Sequence, residues 1–172
     1  FGASGDLTSR KLVPALYNLM RAGLLPEETK IIGFSRTKMS DGEWRSSLRK
    51  STEQHAGGEP FSQEAWNTFE PIIHYQPGDI ESTADFAKLQ QRLCSLEEGN
   101  PTPRVYYLAT APRFYTPAIA ALGNLNMASE DHGDRRIVIE KPFGTDLATA
   151  QALNNYIHTV FQESQVYRID HY

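Results

Sequence analysis

One cysteine stands in the 172 residues, so no disulfide can close within this chain, and a lone thiol fits a reducing compartment. That residue, Cys94, follows Phe86-Ala87-Lys88-Leu89-Gln90-Gln91-Arg92-Leu93, where apolar positions recur at helical spacing, which predicts a buried thiol rather than a nucleophile. No apolar run approaches the roughly 20 residues of a membrane-spanning helix, so a soluble, cytoplasmic protein is expected and no membrane partner. Basic excess is missing too: 17 Lys and Arg against 21 Asp and Glu give a net charge of −4, with the signs interspersed. This excludes a broad nucleic-acid face and a polybasic anchor, and it confines any anion site to a local cluster. His55, His74, His132 and His158 lack metal-ligand spacing, so no metal is expected. There is no internal repeat or low-complexity tract, and Pro101-Thr102-Pro103 reads as a stiff connector into a strand, which leaves residues 1–172 as one domain.

What is present is alternation. Apolar, β-branched runs at Lys30–Phe34, Ile72–Tyr75, Arg104–Leu108, Ile137–Ile139 and Gln165–Ile169 are separated by helical patterns beginning near Leu7, Asp41, Thr83, Tyr115 and Thr145. Phe1-Gly2 reads as the last step of a sixth strand whose earlier residues precede the chain, and the sequence looks cut at both ends, which leaves room for an N-terminal signal ahead of Phe1. The order implies an α/β fold, a doubly wound, mostly parallel sheet of Rossmann type flanked by helices. In the first helix Leu12, Ala15, Leu16 and Leu19 are expected on one face, with Pro14 in the early turns. Trp44 and Leu48 predict one helix after Ser40, Gln54–Pro60 a loop, and Trp66 with Phe69 a second short helix, both tryptophans being core anchors.

The first strand-to-helix turn, Gly2-Ala3-Ser4-Gly5-Asp6-Leu7, has two readings. Glycines there permit positive φ and close backbone approach, while the following helix aims its free N–H groups and dipole at an anion, as a dinucleotide pyrophosphate requires. The spacing departs from Gly-x-Gly-x-x-Gly, with Thr8 at the third position, and a tight turn capped by Ser4 or Asp6 explains the same residues. The strand and helix patterns on either side favour the nucleotide reading. No Gly-Lys-Ser/Thr follows Gly5, which excludes a triphosphate loop.

Further strand ends add to it. After the second strand, where an NAD site places an acid, the sequence has Ser35-Arg36-Thr37-Lys38. A guanidinium with hydroxyl and ammonium neighbours suits a 2′-phosphate, which favours NADP, although a solvated basic turn accounts for the segment in isolation. Asp79 offers a cap for the next helix, and its backbone together with Ile80 is placed to border an adenine. Ala109, first of the small residues Ala109-Thr110-Ala111 after the fourth strand, would let a nucleotide lie close to the backbone. Glu140-Lys141-Pro142-Phe143-Gly144 projects Lys141 from the fifth strand's end toward substrate or cofactor, with a cis bond before Pro142 a possibility. Asp170 and His171 end the sixth strand; neighbours in a strand point to opposite faces, so each is expected to serve a different partner.

Gly-Ala-Ser-Gly-Asp-Leu-Thr-Ser-Arg-Lys-Leu from Gly2, Gly-Phe-Ser-Arg from Gly33, Glu-Lys-Pro-Phe-Gly from Glu140 and Arg-Ile-Asp-His-Tyr from Arg168 together resemble the glucose-6-phosphate dehydrogenase family, in the family's order along the whole chain. The resemblance implies a coenzyme domain followed by a larger α+β domain absent from this chain. It implies hydride transfer from C1 of glucose 6-phosphate to C4 of NADP, giving 6-phosphogluconolactone in the first step of the pentose phosphate pathway, by a homodimer or homotetramer. Gly2, Ala3, Ser4, Gly5, Asp6 and Leu7 would then cradle the pyrophosphate, Arg36 the 2′-phosphate, and Asp79 with Ile80 the adenosine. Lys141 would touch substrate and nicotinamide, and His171 the sugar phosphate. Asp170 would orient a general-base histidine lying beyond Tyr172, where the family's Leu-Gly-Lys-Glu continuation is also expected, so the 172 residues alone are expected to be inactive. Two rivals stay open: another sugar oxidoreductase with Glu-Lys-Pro at this strand end, and a non-enzymatic NADPH-sensing domain.

Overall fold

The computed structural model describes residues 1–57 and 60–170, which form two compact units: Gly2–Gly78, and Phe1 with Asp79 onward. Every strand pair among the described residues is parallel, and helices connect the strands, in keeping with the α/β expectation.

In the Gly2–Gly78 unit, β1 (Ile31–Ser35) pairs with β2 (Ile73–Pro77) in the register Ile31 opposite Ile73 through Ser35 opposite Pro77. The crossover between them carries α2 (Asp41–His55) and α3 (Gln63–Phe69). Ser40 starts α2 through a reciprocal capping box with Glu43, and Ser62 caps α3 by accepting from the Ala65 N–H. The core gathers Ala3, Val13, Tyr17, Trp44, Leu48, Trp66, Phe69, Ile73 and Tyr75, so both tryptophans are the anchors expected of them.

The first helix departs from expectation. It is helical from Asp6, passes through a π-turn at Thr8–Leu12 in which the Val13 N–H reaches back to Thr8 O, and continues as α1 (Val13–Arg21). It buries Thr8 and, within α1, Val13, Pro14 and Tyr17, while Ala15 is exposed and Leu19 is 40% exposed. Two apolar stripes one residue apart run along this helix, and the wide turn sets which of them faces inward. Pro14, with no N–H, follows that turn directly.

The second unit is built on β3 (Arg104–Leu108), β4 (Arg135–Glu140) and β5 (Val166–Ile169), adjacent in that order. Helices α4 (Thr83–Glu97), α5 (Tyr115–Asn124) and α6 (Leu147–Ile157) connect and cover them, burying Phe86, Leu89, Leu108, Ile119, Leu122, Ile137, Ile139 and Ile157. Two expectations are corrected here. Cys94 is exposed, because α4 turns Phe86, Leu89 and Leu93 inward and leaves the next position outside. The helix is capped by Ser82, not Asp79, whose Oδ1 instead accepts the Glu81 N–H at 3.0 Å in a turn one step earlier. Phe1 lies beside β3, its amine donating to Tyr107 O at 2.8 Å, and its ring stacks on Phe86 with centroids 5.4 Å apart. Among the described residues no helix is long and apolar enough to cross a membrane.

Candidate functional site

In the Gly2–Gly78 unit, the glycine turn closes through the Gly5 N–H to Gly2 O at 2.9 Å, and Thr8 Oγ1 donates to the same carbonyl at 3.2 Å. Thr8 thus stands where the fingerprint has its third glycine because its hydroxyl is used, a role invisible in the spacing. Gly2 has φ +79°, and a Cβ on Gly5 would lie 3.2 Å from Gly2 O, so both glycines are where backbone geometry asks for them. The turn is fastened from behind. Gly2 N–H donates to Phe34 O at 3.0 Å, and Trp44 Nε1 donates to Ala3 O at 3.2 Å. Ser4, Gly5 and Asp6 face solvent and Ala3 is buried, so the turn exposes backbone on the side where the helix begins.

Arg36 leaves the end of β1 exposed to solvent, on a loop, Arg36–Ser40, that holds no carboxylate. Ser35 joins this loop to the glycine turn: its hydroxyl donates to Ser4 Oγ at 2.9 Å and lies 2.8 Å from the Tyr75 hydroxyl. Tyr75 is 4% exposed, and its hydroxyl donates to Thr37 O at 2.7 Å. Burial raises its pKa above the usual tyrosine range, so it remains a protonated donor at neutral pH. Sequence reasoning passed over Tyr75 as an ordinary strand residue. Gly33 entered only as the first residue of the Gly-Phe-Ser-Arg run, with no role given to it, yet a Cβ there would sit 2.4 Å from the Trp44 ring and 2.8 Å from Ala3 Cβ.

In the other unit, Ala109 stands half-buried just past β3, and Ile80 is buried beside the Asp79 turn. Asp85 Oδ2 accepts the Asp79 N–H at 3.1 Å, fixing that turn to α4. Lys141 follows β4. Its N–H donates to Ile169 O at 3.1 Å, continuing the β4–β5 ladder, and its Nζ reaches Asp170 Oδ1 at 2.5 Å. The Lys141–Pro142 bond is cis. Two phenols hold the preceding residue: Tyr107 Oη donates to Glu140 Oε1 at 2.5 Å and Tyr115 Oη to Glu140 O at 3.2 Å. Burial and the Glu140 carboxylate push the Tyr107 pKa upward, keeping that proton in place.

Arg168 is used internally, forking onto Glu163 at 2.8 and 3.1 Å and onto Asn154 at 2.6 Å, which ties β5 to α6. The structure therefore brings Arg36 together with the glycine turn, and Lys141 together with Asp170. His171 lies outside the described residues.

Residues 1–172 match in full a family model described as glucose-6-phosphate dehydrogenase, NAD binding domain. Among curated proteins, the glucose-6-phosphate 1-dehydrogenases of Aggregatibacter actinomycetemcomitans and Treponema pallidum are each 42% identical over all of this chain. The chain spans only 35% and 34% of those relatives' lengths. A solved glucose-6-phosphate dehydrogenase in complex with glucose 6-phosphate superposes with a TM-score of 0.87 at 32% identity, covering 99% of this chain and 35% of that one. The enzyme from Mycobacterium avium superposes with a TM-score of 0.84 at 26% identity, covering 98% of this chain and 35% of its own.

Proposed function

Since the chain belongs to the glucose-6-phosphate dehydrogenase family along its whole length, we propose that it is the coenzyme-binding part of an enzyme that takes hydride from C1 of glucose 6-phosphate, with NADP as acceptor, and yields 6-phosphogluconolactone. The observation that carries this reading is the Lys141–Asp170 pair, a cation and an anion 2.5 Å apart at the carboxyl ends of neighbouring parallel strands. Open α/β sheets bind ligands at that edge.

The glycine turn fits the pyrophosphate, because Gly2 at φ +79° and Gly5, which carries no side chain, leave main chain exposed to solvent where the helix begins. In this reading Gly2, Ala3, Ser4, Gly5, Asp6 and Leu7 hold the pyrophosphate by main-chain amides and the helix dipole. Arg36 binds the 2′-phosphate, and the acid-free loop around it spares that phosphate any repulsion. Asp79, Ile80 and Ala109 border the nucleotide through backbone and small surfaces. When bound, the nicotinamide supplies a two-electron acceptor.

The protein's own work is to place and deprotonate the sugar. Lys141 holds a substrate oxygen by a charged hydrogen bond, and Asp170 fixes the direction of that ammonium. His171 takes the sugar phosphate. As C1 loses hydride, the C1 hydroxyl proton passes to a general base, the histidine that the family resemblance assigns beyond Tyr172, with Asp170 orienting it.

The test is dinucleotide reduction by the intact protein with glucose 6-phosphate, free glucose and inositol as alternatives. Reduction with the sugar phosphate, lost in Lys141→Ala, is expected. A preference for an unphosphorylated substrate, or full activity in Lys141→Ala, overturns the reading.

A further inference from the structure

Tyr75 grips the loop that carries Arg36 with both its main chain and its side chain. Its N–H donates to Asp41 Oδ1 at 2.8 Å, at the start of α2 where the loop ends. Its hydroxyl donates to Thr37 O at 2.7 Å, one residue past Arg36, and contacts Ser35 Oγ at 2.8 Å where the loop begins. Ser35 passes the connection on to Ser4 in the glycine turn at 2.9 Å. The phenol ring is fixed in turn, packed against Trp44 with centroids 5.2 Å apart. One buried residue thus holds the loop at both ends, through its side chain at Ser35 and Thr37 and through its main chain at Asp41.

We infer that Tyr75 is a positioning residue for dinucleotide selectivity, holding Arg36 where it can meet a 2′-phosphate and setting its distance from the pyrophosphate turn. The inference rests on the assignment of Arg36 to that phosphate. A guanidinium fork discriminates only if its backbone is held to within a fraction of an ångström, since charged hydrogen bonds weaken steeply with geometry. Thr37 is exposed, so its carbonyl, once released, turns to water and the loop relaxes outward, while the ring's packing against Trp44 persists. The loss therefore falls on the loop and not on the core.

The experiment compares NADP and NAD affinities of the intact protein as wild type, Tyr75→Phe, Arg36→Ala and the double variant, with melting midpoints measured alongside. Tyr75→Phe is expected to weaken NADP by about five- to tenfold, the scale of one neutral hydrogen bond, and NAD by less than about twofold. In the Arg36→Ala background the same substitution should leave the NADP-to-NAD ratio unchanged. An equal fall for both dinucleotides, or an unchanged ratio in Tyr75→Phe, makes the phenol a support for the fold and overturns the inference. If Arg36→Ala itself leaves the ratio unchanged, the assignment of Arg36 fails and the inference falls with it. If Arg36→Ala collapses the ratio and Tyr75→Phe does not, the assignment stands and the inference alone is lost.

Discussion

Lys141 and Asp170 meet at 2.5 Å through side chains that are each 58% exposed, on a ladder continued by the Lys141 N–H to Ile169 O. Exposed pairs of this kind stabilise a fold by about 0–1 kcal/mol, so stability is a weak reason for it to exist. Its position at the strand ends is the stronger reason.

Asp170→Asn should accordingly leave the melting midpoint nearly unchanged while lowering the turnover of the intact enzyme by about a hundredfold, the scale of a lost acid–base or orienting group. Thermal unfolding and saturating-substrate kinetics on one preparation check both halves. A loss of stability with normal turnover would return the pair to a structural role.

Gly33→Ala forces a Cβ to within 2.4 Å of the Trp44 ring, which has no flexible end to give way. Overpacking of this kind costs about 1–3 kcal/mol. Trp44 also holds Ala3 O, so the glycine turn should shift with it. The expected result is a lower urea midpoint together with weaker dinucleotide binding; wild-type values for both would contradict the packing described.

Glu97 and Arg104 form a two-pronged pair, with both contacts at 2.6 Å and side-chain exposures of 13% and 10%, closing α4 onto the first residue of β3. Glu97 holds the guanidinium charge, raising the Arg104 pKa. Glu97→Ala leaves that largely buried cation without its carboxylate, and should destabilise the fold by about 3–5 kcal/mol. A double replacement by methionines should recover much of the loss. Denaturant midpoints of the single and double variants make the comparison.

Asp146 caps α6, its carboxylate accepting the Thr149 N–H at 2.8 Å, and that bond with the Thr149 hydroxyl holds its pKa below the ordinary 3.8. A carboxylate depressed in the folded state contributes stability that is complete above the ordinary value and is lost as pH falls through the folded one. The stability difference between wild type and Asp146→Ala should therefore be constant near neutrality and shrink below pH 3.8. Unfolding curves across that range test it, and a difference independent of pH would remove the charge from the explanation.

Much of this architecture was legible because local signals agreed with tertiary ones. Arg104–Leu108 is a strand over the residues its apolar run and the preceding Pro103 indicate, and Trp66 with Phe69 marks the short helix α3. Other features depended on contacts that spacing does not encode. The inward stripe of the first helix could not be chosen between two overlapping candidates without the π-turn, and Cys94 lay one position beyond the face that α4 buries. The candidate site divides in the same way. Arg36 stands out because it follows a strand where an NAD site places an acid, and Lys141 because the proline after it projects it from a strand end. Tyr75, Gly33 and Trp44 look like ordinary core residues until a hydroxyl, a missing Cβ and an indole N–H are seen to meet specific neighbours.

The wide turn at Thr8–Leu12 bears on how this segment tolerates changes of length. Thr8 bonds the glycine turn and Val13 enters the core, and they stand five residues apart, joined by the bond from Val13 N–H to Thr8 O. A regular helix brings four-residue neighbours to one face, so the turn absorbs one surplus residue between two fixed duties. A sequence shorter by one residue between Thr8 and Val13 would meet both duties with an unbroken α-helix, whereas a longer one would have to swing α1 away from Tyr17's place in the core. Deletion is the permitted direction of drift here, and insertion the forbidden one.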